Sequence, residues 1–326
     1  MIKISRTPYR ISFFGGGTDY PVWYEECGGE VLSATIDKYC YIICCKLSPF
    51  YKGKFRVIYS RVEDCTTIED IKHPVVNAVL KYMNIKDRLE IQHMGDLPAR
   101  SGLGSSSAFT VGLLNVLNDP IWPDYRLASE AAHIEQDILR EVVGSQDQVA
   151  AAYGGLNHIV FDAVGFIVSP LSIKQDRLDE LNSHLMLVHT GVTRIAADVA
   201  SSYVQSFIGK KQMMGKLSDF VKQGVVILQG TQDIKEFGKL LRTAWIHKRE
   251  WSSKVTNSKI DDIYDVALKA GAIGGKLLGA GGGGFMLLFA PPEKQANIQE
   301  KLSSLIHAPF NFSFEGSKII YQDEQN

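Results

Sequence analysis

The chain has 326 residues, 45% hydrophobic and 22% charged, which is more than one ordinary core fills and is the composition of a globular protein of two domains. Its 35 basic and 36 acidic residues leave a formal net charge of -1, so electrostatics gives no reason to expect nucleic acid or an anionic membrane as partner. No apolar run reaches bilayer length and Met1 to Arg6 turns polar at once, so a cytoplasmic location is expected.

In chain order, Tyr9 to Phe14 alternates as a strand does and ends in Gly15-Gly16-Gly17-Thr18-Asp19. Glu30 to Ile36 and Cys40 to Leu47 are rich in β-branched and aromatic residues, with Asp37-Lys38 read as a turn between two strands. The five cysteines (Cys27, Cys40, Cys44, Cys45, Cys65) all fall in this region and lack paired CxxC spacing, so free thiols are expected rather than a zinc site. Phe55 to Ser60 reads as a strand, Pro74 to Met83 as a helix and Leu89 to His93 as a strand. Helices are predicted at about 106–118 and 126–142, then a strand from Gly155 to Phe161. Ser169-Pro170 and the polar stretch Lys174 to Ser183 read as a connector. After a strand at His184 to His189, helical patterns follow at about 194–208, 213–229, 233–244 and 259–271. A glycine run, a strand at Phe285 to Phe289, a helix at about 292–306 and a strand near 316–321 close the chain. Helices and strands mix without strict alternation, which predicts an α+β protein with domains at 1–172 and 173–326.

The run Leu97-Pro98-Ala99-Arg100-Ser101-Gly102-Leu103-Gly104-Ser105-Ser106-Ser107-Ala108 carries the most chemistry. Its glycines leave backbone N–H groups unshielded, and its serines fall at the start of a predicted helix. Free N–H groups and the positive end of the helix dipole suit that place to a phosphate, and a serine hydroxyl there can reach a metal ion carried by phosphates. A Gly-Ser turn that merely caps a helix is the plainer alternative. No GxxxxGK[ST] occurs, which excludes a Walker-type loop. Gly279 to Gly284 does match GxGxxG, but Phe285-Met286-Leu287-Leu288-Phe289 after it reads as a strand rather than a helix, which excludes a dinucleotide fingerprint. Such a loop must come close to something, a ligand or the other domain, or be a tight turn.

Three charged residues stand out. Glu135 lies at the edge of the apolar stripe of the 126–142 helix, with Ala131, Ala132, Ile138 and Leu139 as neighbours one turn away. A carboxylate so placed needs a partner, either a metal or a donor within the protein. Asp147 follows Ser145, whose spacing to Gln148 forms a capping box and puts Asp147 in a helical first turn. There it either serves the helix or accepts a proton from a substrate hydroxyl. Arg10, within an apolar strand, wants an anionic partner. Asp19 across the glycine turn is one candidate, as a brace, and Asp19 can otherwise bind a sugar hydroxyl.

Together, Thr7 to Asp19, Pro98 to Ala108 and Leu277 to Phe285 resemble, in order, the three motifs of the GHMP superfamily of small-molecule kinases, a likeness that covers nearly the whole chain. Gly16-Gly17 stands where galactokinases have Glu-His, which argues against galactose. Phe14 to Asp19, Gly28-Gly29, Ala34 to Asp37, Ala244-Trp245, Lys248-Arg249, Ile260-Asp261 and Gly274 to Leu278 look like the branch of heptose 7-phosphate and fucose-type sugar kinases. The resemblance implies an N-terminal domain like ribosomal protein S5, a ferredoxin-like C-terminal domain and an active site between them. It implies ATP and Mg²⁺, with Gly102, Leu103, Gly104, Ser105, Ser106 and Ser107 around the phosphates and the metal on Ser106 and Glu135. It makes Asp147 and Arg10 catalytic, the first handling the proton and the second offsetting charge on the transferred phosphoryl. It sets Gly16, Gly17, Thr18, Asp19, Gly281 and Gly282 against the substrate. A phosphate already on the sugar would need cations, for which Arg194, Lys248 or Arg249 are candidates.

The implied reaction is transfer from ATP to the anomeric hydroxyl of D-glycero-D-manno-heptose 7-phosphate, giving a heptose 1,7-bisphosphate on the way to a nucleotide-activated heptose. The alternatives are an anomeric kinase for fucose or another unphosphorylated sugar, and a non-catalytic sensor on the same scaffold. The expected partners are therefore a sugar phosphate and ATP, with no nucleic acid or membrane, in a monomer or homodimer.

Overall fold

A computed structural model describes residues 2–193 and 196–323. Its spine is a long antiparallel pair, β1 (Ile2–Phe14) and β2 (Gly29–Lys46), joined by the glycine turn and the short helix α1 (Pro21–Cys27). The pairing runs from Ile2↔Cys45 to Phe14↔Leu32 and shifts register after Pro8, where Tyr39 is followed by Ile36 as the facing residue. Asp37-Lys38 is thus a bulge inside one strand rather than a turn between two. Proline brings no N–H to the ladder, and Asp37 is held instead by the Asn311 backbone N–H at 2.9 Å.

β3 (Phe55–Ile58) and β4 (Val62–Cys65) form a hairpin, and α2 (Pro74–Tyr82) follows with proline at its first turn. β5 (Leu89–Gly95) leads through the glycine-serine loop into α3 (Ser105–Leu117). α4 (Asp124–His133) runs into a π-helical turn at Ile134–Ile138. The expected continuation to 142 stops there, because Arg140 takes a left-handed φ of 55°, which no helix continues. α5 (Gln146–Tyr153) and the hairpin of β6 (Leu156–Phe161) and β7 (Phe166–Pro170) complete this part. The stretch read as a connector is a helix, α6 (Gln175–Ser183), which buries Leu178 and Leu181 three residues apart.

Next come β8 (Leu185–His189), α7 (Ala196–Ala200), two 3-10 turns, and the helices α8 (Lys211–Gln229), α9 (Lys235–Arg249) and α10 (Ser258–Ala270). β9 (Gly274–Leu277), β10 (Phe285–Phe289), α11 (Pro292–Lys301), β11 (Ile306–His307), β12 (Phe312–Ser313) and β13 (Lys318–Gln322) end the chain. Two sheets result. In the first, β13 pairs with β1, while the free edge of β2 is shared by β6, β12 and β5 in turn. In the second the order is β11-β8-β10-β9, antiparallel throughout. The architecture is α+β. The last two strands return to the first sheet, so a sequence division at 172/173 does not divide the sheets.

Phe237 of α9 welds the two halves. Its ring centroid lies 5.3 Å from Phe13, 5.1 Å from Phe14 and 6.3 Å from Phe289 of the second sheet. Aromatic pairs of this kind contribute about 0.5–1.5 kcal/mol each beyond the area they bury. This packing fixes the glycine turn of β1 and the glycine loop before β10 on facing walls of one cleft. Among the described residues no helix is long and apolar enough to cross a membrane, and the five cysteines are free thiols.

Candidate active site

The cleft is walled by the loop before α3, the glycine turn after β1, the loop before α5, the end of α9 and the glycine loop before β10. Gly104 caps α3 in a left-handed conformation, φ 73°, which glycine adopts without steric penalty. The first N–H groups of α3 have no partner within the helix and face the same space. Gly102, Gly104, Ser105, Ser106 and Ser107 all line the cleft, with Ser106 exposed on its wall. Leu103 does not. Its side chain is in the core, and its carbonyl accepts the Arg10 backbone N–H at 3.1 Å. Hydrophobicity decides that placement, and the side chain anchors the loop.

The second glycine loop comes close to the first. A Cβ on Gly279 would lie 2.7 Å from Gly102 Cα, and one on Gly102 would lie 2.6 Å from the Leu278 carbonyl oxygen. The Phe285 N–H also bonds the Ser101 carbonyl at 3.0 Å. Of the two glycines expected to face substrate, Gly281 lines the cleft, whereas Gly282 gives its N–H to the Val255 carbonyl at 2.8 Å and is not on the wall.

Arg10 is paired with Asp147, not with Asp19. Its Nε donates to Oδ1 at 2.6 Å and its second terminal nitrogen to Oδ2 at 2.7 Å. The remaining nitrogen donates to the Gly102 carbonyl at 2.9 Å. This bidentate clamp fixes the carboxylate's orientation and ties it to the phosphate loop. The expected capping box does not form, because the Ser145 side chain makes no cap bond and Gln148 Nε2 is 2.6 Å from Glu135. Burial of Gln148 beside a carboxylate outcompetes a local turn bond.

Asp19 is 1% exposed and lines the cleft. It accepts from the Gly17 N–H at 2.8 Å and from Gln146 Nε2 at 2.9 Å. Burial pushes its carboxyl above the usual range, with those donors opposing. Gly16 and Gly17 line the cleft beside it. Thr18 is fully buried and faces away, donating at 2.9 Å to the carbonyls of Gly15 and Glu30, so it braces the turn. Three more wall residues carry buried polar atoms that have no hydrogen-bond partner among the described residues: Ser12 Oγ, Gln146 Oε1 and Trp251 Nε1. With Tyr20 and Tyr203 they make a face of aromatic surface and free hydrogen-bonding atoms, the combination a sugar presents in mirror. Sequence reasoning missed Ser12, Gln146 and Trp251.

Glu135 is fully buried and does not reach the cleft wall. Thr110 Oγ1 donates to it at 2.6 Å, Ser107 Oγ at 2.9 Å and Gln148 Nε2 at 2.6 Å. Burial raises its pKa to about 7 against those donors. Ser107, not Ser106, therefore links Glu135 to the loop. As a test of fit for Mg²⁺, the donor chemistry is right: hard oxygens, one anionic, behind the first turn of α3. Ser106 presents its hydroxyl directly, and Glu135 lies one hydroxyl behind it.

Of the three cations expected for a substrate phosphate, Lys248 lines the cleft. Arg249 does not, and forms an ion pair with Asp261 at 3.1 Å. Arg194 lies outside the described residues. A cation that sequence reasoning did not single out, Lys276 of β9, is on the wall instead.

Comparison with known proteins identifies the family. GHMP kinases N terminal domain matches residues 71–155, and GHMP kinases C terminal matches residues 225–308. Over 96% of its length the chain is 32% identical to the D-glycero-alpha-D-manno-heptose 7-phosphate kinase of Campylobacter jejuni, of which it spans 97%. The chain belongs to the GHMP kinases. As a GHMP kinase it is a phosphotransferase with ATP as donor. Its fold matches the crystal structure of a D-glycero-D-manno-heptose 1-phosphate kinase from Bacteroides thetaiotaomicron with a TM-score of 0.80 at 25% identity, covering 99% of this chain and all of that one. A galactokinase of Lactococcus lactis, crystallised with galactose, shares the GHMP kinase fold at a TM-score of 0.73 and 17% identity, covering 97% of this chain and 95% of that one.

Proposed function

We propose that this GHMP kinase transfers the γ-phosphoryl group of ATP to the anomeric hydroxyl of D-glycero-D-manno-heptose 7-phosphate, giving the 1,7-bisphosphate and ADP. The observation that carries the proposal is the meeting, in one cleft, of the Gly102 to Ser107 loop, the Arg10–Asp147 clamp and the polar-aromatic face around Asp19. The loop N–H groups and the start of α3 receive the nucleotide's phosphates. Asp19, Ser12 and Gln146 receive sugar hydroxyls, and Trp251 with the two tyrosines encloses the ring.

In the transfer, the sugar oxygen bonds to the γ-phosphorus, the bond from that phosphorus to the bridging oxygen breaks, and ADP leaves with the electron pair. Asp147 orients the hydroxyl and takes its proton. An anomeric hydroxyl is acidic enough that a carboxylate held by arginine suffices. Arg10 keeps Asp147 in place and lends positive charge beside the transferred group. Ser106 and Glu135 would hold Mg²⁺, which supplies charge neutralisation on the ATP phosphates. The catalytic work of the chain is otherwise positioning and the exclusion of water.

Relatives named for heptose 7-phosphate and heptose 1-phosphate make the position of the existing phosphate the open choice. Steady-state turnover of ATP with heptose 7-phosphate, heptose 1-phosphate, unphosphorylated heptose and fucose tests the proposal. The highest kcat/KM is expected for heptose 7-phosphate. Preference for fucose, or for heptose 1-phosphate, would overturn it.

A further inference from the structure

Two ammonium groups face the sugar side of the cleft, where Asp19 favours their charged form without an ion pair to either among the described residues. Lys276 is 7% exposed and donates to the Phe13 carbonyl at 2.8 Å. Lys248 is 8% exposed and donates to the Gly279 carbonyl. An ammonium has three N–H donors, and among the described residues one backbone carbonyl is the hydrogen-bond partner of each. Among the described residues neither makes an ion pair within 4.0 Å. The acids nearby have other partners: Arg10 holds Asp147 at both oxygens, and Asp19 accepts from the Gly17 N–H and from Gln146. Burial drives both lysines below the ordinary ammonium range, with Arg10 adding to the effect in each. Folding has placed two buried lysines, only partly compensated by Asp19, against a cavity, an arrangement unfavourable to their charged forms that an anionic ligand would offset.

The position of the pair says which ligand. The phosphates of the nucleotide already have a receptor in the loop N–H groups and α3. Lys276 reaches the first sheet at Phe13, three residues past Arg10 on the strand that runs from the phosphate loop toward the glycine turn of the sugar face. A neutral sugar would leave both ammonium groups unmatched, while a phosphate monoester brings two negative charges and several acceptor oxygens.

We propose that Lys248 and Lys276 together form the receptor for a phosphate group already present on the acceptor sugar, and so set the enzyme's preference for a phosphorylated substrate. The proposal rests on reading the cleft as that of a sugar-phosphate kinase. The other source of the same chemistry is the phosphoryl group in transit.

The test compares wild type with Lys276→Gln, Lys248→Gln and the charge-conserving Lys276→Arg. KM and kcat are measured for ATP, heptose 7-phosphate and unphosphorylated heptose. Inorganic phosphate is titrated separately by calorimetry into enzyme saturated with a non-hydrolysable ATP analogue, so that the nucleotide's own phosphate site is filled. Each Gln variant is expected to raise KM for heptose 7-phosphate about 10- to 100-fold, a larger factor than its effect on KM for ATP or on kcat/KM for the unphosphorylated heptose. Phosphate binding to the nucleotide-loaded enzyme should be lost in both, and Lys276→Arg should recover part of it. An equal fall in kcat for both sugars with unchanged KM would overturn the proposal and assign the lysines to the phosphoryl in transit. Should wild type use neither heptose, the sugar assignment fails, and the phosphate titration then decides the lysine site by itself. A variant that no longer unfolds cooperatively is replaced by Lys276→Met in the same titration, and retained phosphate binding there contradicts the proposal.

Discussion

Two side chains at the cleft change charge close to neutral pH, Glu135 at about 7 and Lys248 at about 8. For Lys248 the main cause is burial, Arg10 adds to it, and Asp19 opposes. Lys276 is a further cation in its surroundings. The native pKa lies below the unfolded value of 10.5, so between them the unfolded chain binds a proton that the native chain has released, and this group's contribution to stability rises with pH. Its affinity for an anion moves the other way. From pH 8 to 9, KM for the phosphorylated sugar should therefore increase while the urea midpoint does not fall. A midpoint that falls in step would mean that unfolding sets the profile. Glu135 gives a second prediction. Glu135→Gln should raise the Mg²⁺ concentration for half-maximal activity by about tenfold, and an unaltered Mg²⁺ titration would confine Glu135 to its bonds with Ser107, Thr110 and Gln148. Ser106 and Arg10 stood out in the sequence because hydroxyls beside glycines and a charge inside an apolar run are locally anomalous, whereas Asp147, in a polar run read as a helical first turn, gained its role from the resemblance. Lys276 was not legible in this way. A single lysine after two glycines looks like any strand end, and the carbonyl it bonds is 263 residues distant.

Between elements, the decisive contact is loop against loop. The loop that caps α3 and the loop that opens β10 approach with no room for a side chain at Gly102 or Gly279, so the proposed phosphate receptor would be built by two distant segments. Gly279→Ala must place a methyl group 2.7 Å from Gly102 Cα at a φ of 71°. It should cost about 1–3 kcal/mol of stability and raise KM for ATP. Urea unfolding with steady-state kinetics checks both, and an unchanged KM for ATP would mean that the loops act independently. In the sequence, the strand after the glycine run was enough to reject a dinucleotide fold, but not to say what the glycines approach. The elements that periodicity missed share a reason. α1, β4, β9 and β12 have at most seven residues each, too few for a pattern to repeat, and tertiary packing decides them. α6 was hidden by its polarity, since only Leu178 and Leu181 are buried.

For the molecule as a whole, the two halves are not beads on a string. The last strands return to the first sheet, and Phe237 packs against both. The cleft is thereby a junction in which the Gly102 to Ser107 loop, the Arg10–Asp147 clamp and the face around Asp19 are drawn from segments spread along nearly the whole chain. Its central claim is that this junction moves a phosphoryl group onto the first carbon of a sugar already phosphorylated elsewhere. Phosphorus NMR of heptose 7-phosphate incubated with ATP and Mg²⁺ tests it most directly, on wild type and on Asp147→Asn. The account predicts a new phosphomonoester signal, coupled to the anomeric proton, growing with wild type and slowed about 100-fold or more in the variant. A signal coupled to any other proton, or equal rates in the two proteins, would contradict it.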